Sequence, residues 1–192
     1  AVLMLASPAE AATGDCISIT NDLDRLACYD REAGRTPVLE TLHSESKWDV
    51  RVETSDMTDD TNVFLSLASE EVVNCGWSTD RITLILRCRA NTTSVIFVTG
   101  CHMTSSNYNT YGDVTYRLDD TSALTRRFVE STNNRSLGLW SGGQAIPFIK
   151  GMVGHERLLA RMTPYGENAF TANFDIRGLE DALVPLREAC SW

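Results

Sequence analysis

The chain lacks nearly every short signature by which an enzyme declares itself. Its 192 residues contain no GxSxG elbow, no HExxH helix, no Walker loop and no GxGxxG turn, which removes the commonest hydrolase, zinc-peptidase and nucleotide-binding readings. There is no CxxC pair either, so neither a zinc ribbon nor a thioredoxin-like redox centre is expected. Cations are scarce: 17 Lys and Arg against 26 Asp and Glu leave a net charge of −9 and a pI near 4.8. Nucleic acid and anionic membrane surfaces both need a basic footprint, so neither is an expected partner. No apolar run approaches the ~20 residues of a membrane-crossing helix, and membrane insertion is not expected.

What the chain does have is six cysteines. An even count without CxxC spacing, behind an apolar Ala/Pro-rich leader, points to an oxidising compartment and a domain tied by disulfides. Residues 1–11 read as the remnant of a signal peptide, with a small-x-small site at Ala9-Glu10-Ala11, so cleavage is expected near Ala12. The remainder is long enough for one domain with a real core.

Residues 12–46 read as an N-terminal helical segment and linker. Ile19, Leu23, Leu26 and Ala27 recur at helical spacing before Gly34. A continuous helix would hold Cys16 and Cys28 ~18 Å apart, beyond the ~7 Å a disulfide spans. Pairing those two therefore requires a break, for which Thr20-Asn21-Asp22 supplies N-cap chemistry and Asp24 a favourable first-turn charge. Residues 47–192 read as a β-rich domain. Trp48, Val50 and Val52 alternate with charged residues, and Val63, Leu65 and Leu67 repeat the pattern. Residues 81–89 and 95–100 form a stronger hairpin across the pentad Ala90 to Ser94; 114–118 with 125–131, and 158–162 with 169–174, are further strand pairs. A short helix is expected over 143–151, with Pro147 tolerable only in its first turn, and a final helix over 178–189, where Leu179, Leu183 and Leu186 share a face. The predicted fold is mainly β (α+β): an antiparallel sandwich or curled sheet, with a disulfide-tied helical segment before it and a C-terminal helix packed on the sheet.

Six cysteines allow fifteen connectivities. In the strand ending at Cys88, that cysteine shares a face with Ile82, Leu84 and Leu86, so it points into the core, where a packed C-terminal helix can bring Cys190. Cys75 and Cys101 flank the open end of the central hairpin. The predicted pairs are Cys16–Cys28, Cys75–Cys101 and Cys88–Cys190. A metal site or a catalytic thiol with His43, His102 or His155 is the weaker alternative, because Cys75, Cys88 and Cys101 fall thirteen residues apart and an oxidising compartment consumes free thiols.

Other polar clusters admit two readings each. Asp56, Asp59, Asp60 and Asn62 suggest a calcium loop but lack the EF-hand order, and a solvated turn accounts for them. Asp119 and Asp120 are either a hydrolytic pair or turn chemistry. Trp140 to Gly143 either line a groove or carry a strand end into a glycine turn. Tyr108, Tyr111, Trp77 and Trp192 sit in polar stretches, as interface anchors do, while Trp192 can equally close over the core beside Cys190.

Several segments in order carry a family resemblance: Asp15-Cys16-Ile17-Ser18-Ile19, Arg25-Leu26-Ala27-Cys28-Tyr29-Asp30, Leu86-Arg87-Cys88, Val114 to Asp119, Thr163-Pro164-Tyr165-Gly166, Phe174 to Leu179, and the terminal Ala189-Cys190-Ser191-Trp192. Together they resemble the VasI/TagO family of type VI secretion-associated proteins. The resemblance implies an envelope protein of a Gram-negative bacterium, exported to the periplasm and encoded with a contractile secretion machine. It supplies no catalytic residue and no cofactor. It also implies four family cysteines, leaving Cys75 and Cys101 as an extra pair.

Three functions follow as expectations. One is a non-enzymatic periplasmic accessory or binding protein of a type VI secretion system, acting on a protein partner in the envelope or the machine. Another is a cell-wall hydrolase with Asp119, Asp120 or Glu130 as acid and base, needing two carboxyls about 5 to 9.5 Å apart. The last is a phage-derived structural or inhibitory module.

Overall fold

The computed structural model describes residues 16–21, 25–26, 28–30, 46–55, 60–76 and 78–192. The leader, Asp24, the linker, His43, Asp56, Asp59 and Trp77 lie outside the described residues. Contacts divide the chain into two units, Ala1–Leu42 and His43–Trp192.

In the first unit, a 3-10 turn spans Cys16–Ser18 and helical backbone resumes at residues 25–26 and 28–30. Cys16 and Cys28 are bridged with their Cα atoms 5.6 Å apart, a separation that no continuous helix allows. The Arg25 guanidinium donates to the Ile19 carbonyl at 3.2 Å.

The second unit is a sandwich of two antiparallel sheets. Its strands are β1 (Asp49–Thr54), β2 (Thr61–Cys75), β3 (Ser78–Arg89), β4 (Thr92–Val98), β5 (Asp113–Leu118), β6 (Leu124–Arg127), β7 (Val129–Glu130), β8 (Ser136–Leu139), β9 (Arg157–Met162) and β10 (Phe170–Asp175). The larger sheet runs β1-β2-β3-β4-β8-β7 and the smaller β10-β9-β5-β6. Period-2 alternation fixes the faces. Leu65, Leu86, Val95 and Leu139 stand in register across four strands of the larger sheet, and all four are buried. They meet Val114, Leu158, Ala160, Met162, Ala172 and Phe174 of the smaller sheet in one core. Phe97 is at its centre, with ring centroids 5.5 Å from Phe128 and 5.8 Å from Phe174.

Five expectations need correction. The central hairpin does not turn over a pentad: β4 begins at Thr92, and Ala90 and Asn91 make a two-residue turn with φ of 47° and 53°. Both angles belong to the left-handed region that matches the strand twist, and alanine is a poor sequence cue for it. Relieving a left-handed alanine outweighs the added freedom of glycine, so Ala90→Gly should raise stability by up to about 1 kcal/mol, read as a modest rise in Tm. The expected strand over 125–131 is two strands in different sheets, because buried Phe128 breaks it: β6 pairs with β5, while β7 pairs with β8. Trp140 to Gly143 is not a glycine turn, since Ser141 is the N-cap of α1 (Gly142–Met152). Pro147 lies beyond the first turn of α1. It is tolerated because both Pro147 and Gly143, whose carbonyl loses the helical bond, face solvent.

The C-terminal helix is likewise two short pieces, α2 (Leu179–Ala182) and α3 (Val184–Cys190). Pro185 near the start of α3 has no N–H to offer the Asp181 carbonyl, so the ladder breaks at Leu183. The apolar face survives the break: Leu179, Leu183 and Leu186 are fully buried. α3 packs on β2 and β3, which puts Cys190 against Cys88, Cα atoms 5.7 Å apart. Trp192 closes over this corner, its indole N–H donating to Thr93 Oγ1 at 2.9 Å.

One seam between the sheets is ionic. A bulge in β2 between Ala68 and Val72 turns Glu70 and Glu71 toward the free edge of β10, where Glu71 accepts the Asn173 backbone N–H at 3.0 Å and Glu70 the Asn173 amide at 2.8 Å. Next to them the Asp175 carboxylate, 9% exposed, accepts from Arg177 at 2.5 and 2.7 Å and from Lys47 at 3.0 Å. The Arg177 hydrogen bonds, with those from Lys47, hold its pKa far below the usual carboxylate range. A depressed folded-state pKa contributes stability that is present above the unfolded value near 4 and is lost as pH falls below it. Asp175→Asn should therefore cost on the order of 2 kcal/mol near pH 7 and flatten the decline of Tm between about pH 5 and pH 2. A decline identical in the two proteins would show that other carboxylates set the acid limb.

Candidate functional site

The two ends of the sandwich differ in kind. At one end, β5 runs into the turn at Asp119, whose φ is 45°. The Asp119 carboxylate accepts the backbone N–H groups of Glu156 and Arg157 at 3.1 and 2.9 Å and meets His155 Nδ1 at 2.7 Å. His155, with those amides, holds its pKa below the ordinary value. Asp120 is exposed and pairs with Arg117 at 2.9 Å. These two carboxylates tie the turn to the start of β9.

Glu130, the other acid/base candidate, lies at the opposite end of the sandwich, separated from Asp119 by the length of β5, ~20 Å. It is held below the ordinary pKa by the Ser105 hydroxyl. A general acid needs the reverse, a raised pKa, and neither Asp119 nor Glu130 has one.

That opposite end carries a cleft of about 490 Å³, built from the β2–β3 turn, the segment after β4, the β7–β8 turn and the β9–β10 loop. Its floor is the Cys75–Cys101 disulfide, Cα atoms 5.6 Å apart. The walls are polar: Ser78, His102, Asn133, Asn134, Arg135 and Glu167. Main-chain hydrogen bonds fix them. Arg135 donates to the Gly100 carbonyl at 2.7 Å, and the Gly76 N–H donates to Glu167 at 3.1 Å. His102 supplies its carbonyl to the Tyr165 N–H at 2.8 Å, so the β9–β10 loop is sewn to the segment after β4.

An aromatic ladder stands beside the cleft. The His102 and Tyr165 rings lie 5.4 Å apart, and the Tyr165 and Tyr111 rings 5.6 Å apart. The Tyr111 hydroxyl accepts the Gly166 N–H at 3.2 Å. Tyr165 is 57% exposed and Tyr108 is 99% exposed. Aromatic rings held rigid and left uncovered are the usual anchors of protein interfaces. Of the aromatics singled out in the sequence, Tyr108 and Tyr111 belong to this end, whereas Trp192 is packed at the Cys88–Cys190 corner.

Against known proteins, the family model described as "Type VI secretion system VasI, EvfG, VC_A0118" matches residues 15–192, nearly the whole chain. The chain belongs to the VasI family. No curated protein and no solved structure matches it. VasI membership associates the protein with type VI secretion and agrees with the segments that carried the resemblance. Set on the fold, those segments are mostly structural. The Cys16–Cys28 bridge closes within the N-terminal unit and the Cys88–Cys190 bridge within the second unit, and Phe174 and Leu179 are core residues. Tyr165, by contrast, is exposed beside the cleft of this VasI-family protein, and Ile17, Leu26 and Tyr29 are exposed as well. Sequence reasoning passed over Arg135, Glu167 and Tyr165 as site residues; the Asn133-Asn134-Arg135 polar turn and the Thr163-Pro164-Tyr165-Gly166 loop were the available cues.

Proposed function

We propose that the protein is a periplasmic accessory component of a type VI secretion system that works by binding rather than turnover, and that its cleft end is presented to a protein partner in the cell envelope. The supporting observation is exposed Tyr165, held between the His102 and Tyr111 rings on a loop bonded to the segment that Cys75–Cys101 anchors, with Tyr108 exposed at the same end. Rigid loops cost little ordering entropy on association, so exposed rings there convert into affinity efficiently.

Three disulfides with no free cysteine among the described residues fit an oxidising compartment such as the periplasm. A photo-crosslinker at position 165, in cells carrying the secretion genes, is expected to trap one defined envelope protein, and the same probe at exposed Leu159 is not. Equal, diffuse crosslinking from both positions would remove the cleft end as the contact surface.

A further inference from the structure

The outer face of the larger sheet carries a feature that the cleft end does not explain. Trp140 folds back flat over Gly138, where a Cβ atom would stand 2.5 Å from the indole ring, and its N–H donates to the Val129 carbonyl at 3.0 Å. The Arg87 guanidinium lies over this ring, 5.8 Å from its centroid. Around it Phe64 is the cross-strand neighbour of Arg87, Ile85 and Ile96 form the adjacent row, and Val129 is 46% exposed. The result is a mixed face on which the Trp140 ring, Phe64 and the two isoleucines surround Arg87, with Arg51 opposite Phe64 on β1 and in an ion pair with Glu53, and Arg89 two residues along β3.

Among the described residues no carboxylate pairs with Arg87, and its Nε is buried without a hydrogen-bond partner. Desolvation, and then Arg89 on the same face, lowers its pKa. Withdrawing a charge from water without a partner is costly, and a protein of net charge −9 has carboxylates to spare elsewhere. An acid from outside would supply Arg87 with an ion pair.

We propose that this face is a second docking site, distinct from the cleft end, and that it takes an extended segment of a partner protein in which a carboxylate flanked by apolar side chains seats on Arg87. Charge complementarity selects the occupant: the carboxylate supplies the missing ion pair, and the apolar neighbours cover Phe64, Ile85 and the Trp140 ring. Guanidinium stacked on indole is pre-oriented for such a pair.

The test uses the whole purified protein and two fluorescein-labelled decapeptides, one alternating Leu with Glu and the other Leu with Gln, read by anisotropy. The Glu peptide is expected to bind with a Kd below about 1 mM, the Gln peptide at least tenfold more weakly, and Arg87→Gln to abolish the difference between them. Arg87→Lys keeps charge but loses the stack, and should bind the Glu peptide severalfold more weakly than wild type. Tyr165→Ala should leave Glu-peptide binding unchanged, which separates this site from the cleft end.

Equal binding of the two peptides, no binding of either at about 1 mM, or a selectivity that survives Arg87→Gln in a protein of unchanged Tm would overturn the proposal. Self-association of the wild type that disappears in Arg87→Gln, seen by sedimentation, would assign the face to a second copy of this chain and overturn it equally.

Discussion

Replacing Cys88 and Cys190 together by alanine is expected to lower stability by about 4.7 kcal/mol in the chain-entropy account of a loop this long. The bridge closes 102 residues, most of the second unit, so its loss enlarges the unfolded ensemble more than the loss of either shorter bridge. The same reasoning gives roughly 3.5 kcal/mol for Cys75–Cys101, which closes 26 residues. For a domain of this size 4.7 kcal/mol corresponds to a fall in Tm of roughly 10 to 18 °C. The fall should appear in the oxidised protein and vanish when wild type and variant are both compared under full reduction. A loss below 1 kcal/mol would mean that α3 holds to β2 and β3 through Leu186 and Trp192 without the covalent tie.

Phe97→Ala should cost about 3 to 5 kcal/mol. Phe97 is fully buried and joins the larger sheet to Phe174 of the smaller and to Phe128 at the crossing between them. The neighbouring backbone lies in strands held on both sides by Leu84 and Leu137, so the site has little freedom to collapse around the cavity. Denaturant unfolding should show the midpoint shifted with its slope unchanged. Phe128→Leu keeps most of the volume and should cost less than half as much.

These effects rest on features that were unequally legible in the sequence. Strands with one buried face announced themselves by alternation: Val63-Leu65-Leu67 and Ile82-Leu84-Leu86 gave both the elements and the inward direction of Cys88. Short strands did not. β7 has two residues and β8 four, too few for a period to show, and Phe128 reads as a continuation of β6 although the chain changes sheet there.

Breaks were hidden by competing cues. The left-handed Ala90 looked like ordinary loop, and the apolar spacing of Leu179, Leu183 and Leu186 masked the break that Pro185 imposes. The cleft was the least legible part, because its walls come from four segments spread over residues 75–167 and none carries a motif alone. Alternation with Leu86 and Cys88 turns Arg87 outward, but its place over an indole depends on Trp140 folding back over Gly138, which no local pattern encodes. Family segments identified the chain without marking its surfaces, since outward Arg87 sits between buried Leu86 and Cys88, and exposed Tyr165 follows buried Pro164.

The cleft end is the contact through which the protein is proposed to serve type VI secretion. The most direct measurement is secretion by a strain whose only copy is Tyr108→Ala/Tyr165→Ala, at matched periplasmic level and unchanged Tm. Both side chains are more than half exposed, so folding should be spared. A loss of secretion comparable to deletion of the gene is the predicted result; full secretion by the double variant would contradict the claim.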